Sequence, residues 1–110
     1  MIENTIGEIE AKIRASGSVG APQKQELLSL LATLKTEVSQ LSQTHQEQAD
    51  SIAEFARLSA RESTRTQPDP KLKELSLRGL SSSTEGFQQS HPRLVQIVNN
   101  ITKTLSDLGI

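Results

Sequence analysis

The hydrophobic positions of this chain recur in steps of four and three. Ile2, Ile6, Ile9 and Ile13 fall on one face of a helix, and Glu8 to Lys12 and Glu10 to Arg14 add supporting pairs one turn apart. Ser16-Gly17-Ser18-Val19-Gly20 stops that helix near Ala15, because paired Gly and Ser disfavour continuation. Pro22 suits a first helical turn, and from there Leu27, Leu31, Leu34, Val38 and Leu41 alternate the same steps. The register continues through His45 and Gln48 to Ile52 and Phe55, and no Gly or Pro interrupts residues 23–67. A helix over 22–63 is the expectation. At 1.5 Å per residue it would be roughly 60 Å long. A compact domain of this length is only about 35 Å across. The chain therefore breaks within Ser42–Ser51 or is elongated, and the lack of a stop signal in that run favours elongation.

Pro68-Asp69-Pro70 is a breaker, since the residue before each proline is steered away from helix. Over 71–89, Leu72, Leu75 and Leu80 suggest a helical face that Gly79, Ser81-Ser82-Ser83 and Gly86 weaken. Gly79-Leu80 fits a helix end, and Ser82 to Glu85 fits a capping box, so this segment reads as one helix or as two parted near 79–82. Over 91–108, Leu94, Val98, Ile101, Leu105 and Leu108 renew the seam. Ser90 serves as its cap and Pro92 as its first-turn residue, while Gly109 ends it and Ile110 folds back as an apolar lid.

The predicted fold is a single all-α domain over 1–110. It is an elongated antiparallel helical hairpin or bundle with coiled-coil-like heptad seams, completed by dimerisation. The interaction seam is Leu27, Leu31, Leu34, Val38, Leu41, Ile52, Phe55, Leu94, Val98, Ile101, Leu105 and Leu108.

Composition narrows the function. Phe55 and Phe87 are the only aromatic side chains besides the two histidines, which suits helices packed by Leu and Ile. The absence of cysteine removes disulfides and thiolate metal sites and is compatible with a reducing, cytoplasmic setting. Met1–Ser16 lacks the apolar run of a signal peptide, and no stretch reaches the ~20 apolar residues of a membrane span. A net charge of −1 argues against a general nucleic-acid binder.

Residues 87–94, Phe-Gln-Gln-Ser-His-Pro-Arg-Leu, lead into a heptad helix closing in Leu108-Gly109-Ile110. This part of the chain, over residues 84–110, resembles the domain of unknown function 4404 family, short bacterial proteins ending in a similar helix. The resemblance implies an all-helical bacterial protein and carries no activity, cofactor or site residues.

Candidate chemistry is sparse. His91, between Ser90 and Pro92, reads as part of a capping turn more readily than as a ligand or acid–base group. His45 reads as a polar layer of the seam or a solvated residue rather than a pH sensor. The two histidines lack the Glu-x-x-His pairing of a di-iron bundle, since Ser42 and Gln88 stand three residues before them. No Ser is paired with a positioned base, and the Asn100-Ile101-Thr102 sequon lies inside a predicted helix. No catalytic, metal or cofactor residue is assigned. Arg57, Arg61 and Arg65 are spaced by four, and residues 57–78 hold six bases against three acids, which makes them candidate contacts to an anionic partner. Without interleaved aromatics that stripe reads more simply as a solvated helix end. The expected function is a non-enzymatic structural or interaction module that self-associates through its apolar stripes, dimer favoured, with another helical protein as a further partner. The alternative is a regulatory module that engages nucleic acid or a membrane surface through the basic span.

Overall fold

A computed structural model of the chain describes residues 2–108. They form five helices: α1 (Ile2–Ala15), α2 (Ala21–Ser42), α3 (Gln46–Ser63), α4 (Pro70–Ser83) and α5 (Pro92–Ser106). The all-α class is as expected, and among the described residues there is no strand. The elongation is not found. The molecule measures 37 × 24 × 21 Å with a radius of gyration of 12.9 Å.

The segment expected as one helix over 22–63 is two helices, parted at Gln43–His45. The reason is local as well as global. The Ser42 hydroxyl donates to the Ser39 carbonyl at 2.6 Å and the Thr44 hydroxyl to the Leu41 carbonyl at 3.4 Å. The backbone N–H groups of Thr44 and His45 also donate to the Leu41 carbonyl, at 3.1 and 2.8 Å. Side chains that bond nearby carbonyls compete with helical continuation. The turn folds Ile52 back onto the core that holds Leu27 to Leu41, so the two halves of the expected seam bury one another.

Polar contacts fix the helix directions. Glu3 accepts from the Ser39 hydroxyl at 2.9 Å and Glu10 pairs with Lys35 at 3.1 Å, so α1 and α2 are antiparallel. Glu37 faces Arg93 at 3.6 Å and Glu26 accepts from Thr104 at 3.2 Å, so α2 and α5 are antiparallel. The Ser59 hydroxyl donates to the Ser76 carbonyl at 3.0 Å, which sets α3 beside α4.

α3 touches all four other helices. Its buried residues are mostly small: Ala49, Ala53, Ala56, Ser59 and Ala60, with Ile52 the one large apolar member. Small side chains let four backbones approach one axis, where large ones would hold them apart. The seam residues supply the volume around it. Leu27, Leu31, Leu34, Val38, Leu41, Ile52, Leu94, Val98, Ile101, Leu105 and Leu108 are all buried within one chain. Phe55 is the exception and lies at the surface, 36% exposed. The broken turn shifts the register, so Ala49, Ala53 and Ala56 take the inward places.

α4 runs unbroken through Gly79 to Ser83, and no capping box starts another helix at Ser82–Glu85. A turn follows Thr84 instead, with Gly86 at φ 94°, a conformation that favours glycine. Its N-cap is Asp69, which accepts from the Leu72 N–H at 3.1 Å. α5 starts at Pro92 as expected, but Ser90 is not its cap. Proline occupies the first helical position and disfavours helical angles at the residue before it, so His91 is the N-cap residue, at φ −139° and ψ 63°. Gly109 and Ile110, expected as helix end and lid, lie outside the described residues. At the other end of α5 the buried Lys73 amine donates to the carbonyls of Leu108 (2.8 Å) and Ser106 (3.3 Å).

Two outcomes are expected. Ala56→Leu adds apolar volume to the buried face of α3, the helix that packs on all the others, and should destabilise by about 1–3 kcal/mol in urea denaturation followed by circular dichroism. A neutral or stabilising result would show that the approach is not tight. Burial pushes the Lys73 amine below its ordinary value, with Asp107 partly offsetting this. The unfolded chain then holds the proton more tightly than the folded one, so stability should rise with pH in the range just below the usual lysine value. Lys73→Met should flatten that rise relative to the parent chain.

Candidate interaction surface

The polar residues singled out for chemistry are brought together only in part. His45 and His91, far apart in the sequence, stand 6.4 Å apart between ring centroids, and Phe87 touches both at 5.5 and 5.6 Å. All three ring pairs meet edge to face, at 82–85°. His45 is the N-cap residue of α3 and His91 of α5, with nearly the same backbone angles. His45 Nδ1 shares a hydrogen with the Thr44 hydroxyl at 2.8 Å, and His91 Nδ1 with the Ser90 hydroxyl at 3.0 Å. The cluster joins the α2–α3 turn to the α4–α5 turn at one end of the bundle. Among the described residues no three His, Cys, Asp or Glu side chains gather as a metal site. His45 is therefore a loop residue and not a seam layer.

The basic stripe is largely matched by acids of its own helices. Arg57 pairs with Glu54 at 2.7 Å, Arg65 with Glu62 at 2.9 Å and Arg78 with Glu74 at 3.5 Å. Lys73 is buried as a cap. Arg61 and Lys71 remain exposed without an ion pair among the described residues. Arg57 and Arg61 lie along one exposed line of α3 and Arg65 follows its end, but two of the three are locally neutralised.

The outer face of α3 and α4 is different in kind. Leu75 is 52% exposed, Leu72 43%, Leu58 41% and Phe55 36%, and these are the large apolar side chains most open to solvent among the described residues. They share one region because α3 and α4 pack antiparallel, with Ser59 opposite Ser76 and Phe55 against Gly79. That register sets Leu58 near Leu75, with Leu72 one turn further along α4. Of the expected face Leu72–Leu75–Leu80, only Leu80 is core, because it falls in line with buried Lys73 and Ser76 while the other two fall outside. Gly79 has a specific use here. A Cβ on it would overlap the Cδ1 and Cε1 atoms of Phe55, so the ring lies directly on the α4 backbone. Sequence reasoning missed Leu58 and the Gly79 contact. The signal was present in Ala49, Ala53, Ala56 and Ala60, whose steps of four, three and four mark the inward face of α3 and so leave Phe55 and Leu58 outside.

The family model described as domain of unknown function (DUF4404) matches residues 27–110. The chain belongs to that family. The match covers most of α2 and all of α3, α4 and α5, hence both histidines and the whole apolar face, and it leaves out α1. No curated protein and no solved structure matches this DUF4404 chain. No helix among its described residues is long and apolar enough to cross a membrane.

Gly79→Ala should leave the stability of this DUF4404 chain within about 1 kcal/mol of the parent, since the helix-propensity gain of alanine offsets the displaced ring. Phe55 should swing further into solvent, read as a new chemical shift environment for its ring protons. A loss of several kcal/mol would mean that the ring has nowhere to go.

Proposed function

We propose that the protein is a non-enzymatic helical interaction module that self-associates, and that it does so through the outer face of α3 and α4 rather than through the heptad seams. The observation that carries this reading is the cluster of Phe55, Leu58, Leu72 and Leu75, left open while the seam residues are consumed by the core of one chain. A contiguous apolar patch rimmed by charge is the usual mark of a protein-binding surface. The rim is present in Glu54, Arg57, Arg61, Lys71 and Glu74. The alternative, an anionic partner held by the basic span, draws little support from arginines already paired with acids one turn away. Against catalysis stands the use of both histidines in joining two turns.

Magnitudes set the strength to expect. Completing the burial of one half-exposed Leu or Phe contributes roughly 1 kcal/mol. Two copies bring eight such side chains, against an association cost of at least about 4 kcal/mol. The result, about 4 kcal/mol, is a weak dimer with Kd of roughly 1 mM. Sedimentation velocity from about 10 µM to 1 mM should show the mass rising from 12.0 kDa towards twice that value. Leu58→Asp and Leu75→Asp should hold the mass at the single-chain value while leaving the helical circular dichroism intact. A parent chain that stays at 12.0 kDa throughout, or Asp variants that associate as well as the parent, would overturn the reading.

A further inference from the structure

The exposed line of α3 is divided by charge. Glu47, Asp50 and Glu54 occupy its first half and Arg57 and Arg61 its second, with Arg65 just past the end of the helix, all six exposed and spaced by three or four. The helix macrodipole accounts for charges in the first and last turns. It does not account for Asp50, Glu54 and Arg57, which lie in the middle of the helix, beyond the reach of either end. A charge pattern that reverses sign about the midpoint of a helix is complementary to itself when a second copy is turned end for end. In a twofold interface residue i meets residue j of the partner and j meets i.

Resting on the self-association proposed above, we infer that the occupant of the α3–α4 face is a second copy of this chain laid with its α3 antiparallel to the first, on a twofold axis passing between Glu54 and Arg57. In that arrangement Glu54 of one chain meets Arg57 of the other, Asp50 meets Arg61, and Glu47 meets Arg65. The Glu54–Arg57 pair within each chain, 2.7 Å apart and half-exposed, lies at the axis. Its two copies there form a ring of four alternating charges. Leu58 borders that line, one turn from both Glu54 and Arg61, with Phe55 beyond it over Gly79, so the apolar patch runs along the α4 side of the charges. Leu72 and Leu75 flank it from α4. A parallel pairing would instead set acid on acid and base on base along the whole line, which is destabilising. The surface thus selects its own copy and its own direction.

Charge reversal tests this directly. Two variants are made, one with Asp50→Lys and Glu54→Lys, the other with Arg57→Glu and Arg61→Glu. The first leaves bases at 50, 54, 57 and 61 and the second leaves acids at the same four positions, so each alone should dimerise at least about tenfold more weakly than the parent by sedimentation. Mixed one to one they should associate with each other, and the chain carrying all four changes should again dimerise alone. Circular dichroism melting checks that every variant is folded. The chain has no cysteine, so single replacements report direction without background. A mixture of Glu47→Cys and Arg65→Cys chains should cross-link between the two positions on oxidation, faster than either chain with itself. A faster 47-to-47 disulfide, or reversals that leave dimerisation unchanged while Leu58→Asp abolishes it, would overturn the antiparallel pairing and leave self-association standing. A parent chain that never associates would remove both.

Discussion

The fold depends on how closely the other helices approach α3. That helix is polar for most of its length, yet it lies against α1, α2, α4 and α5. The interaction that permits this is not a large hydrophobic contact. It is the absence of side-chain bulk at Ala49, Ala53, Ala56, Ser59 and Ala60, which brings neighbouring backbones in until the Ser59 hydroxyl reaches the Ser76 carbonyl. Close packing at such a point is sensitive to single methylene groups. The Leu and Ile seams of α1, α2 and α5 then fill the remaining space. The same economy of volume on α4, at Ser76 and Gly79, lets Phe55 lie over the helix rather than between helices. Core and surface are in this sense two outcomes of one distribution of small residues.

Much of the architecture was legible from periodicity. Ile2 to Ile13, Leu27 to Leu41 and Leu94 to Leu105 are large apolar residues in helical steps, and each set is buried. The break at Gln43–His45 was not, because Ser, Gln and Thr are all tolerated inside helices. Only the mismatch between helix length and domain size hinted at it. The error then propagated. Carrying the heptad register across residues 42–51 placed Phe55 in the seam, whereas the turn resets the phase and gives that role to alanines. Alanine is a weak hydrophobic signal, and its use here rests on proximity rather than burial energy. The face on α3 and α4 was illegible for the same reason, since it is defined by what the alanines leave outside.

The histidines show the opposite limit. His91 was read as part of a capping turn and is the N-cap residue of α5, whereas His45 was read as a seam layer or a solvated residue and is the N-cap residue of α3. Their meeting across Phe87 depends on two turns arriving at the same end of the bundle, a relation between distant segments that no local pattern encodes. Both turns use the same device, a hydroxyl residue followed by a histidine with non-helical backbone angles at a helix start, and this repetition is visible in Thr44-His45 and Ser90-His91 once the fold is known.

The central position of α3 has a consequence for the order in which the molecule comes apart. A helix whose inner face lies against four others cannot leave without breaking its contacts with all of them, whereas α1, which meets only α2 and α3, can peel away by itself. Local opening free energies span a range within one protein, and the upper end belongs to the segments with the most enclosed backbone. The segment with the least hydrophobic sequence is therefore the last refuge of native structure. Its backbone amides are shielded longest from solvent, although its composition, taken alone, would mark it as the first to fray.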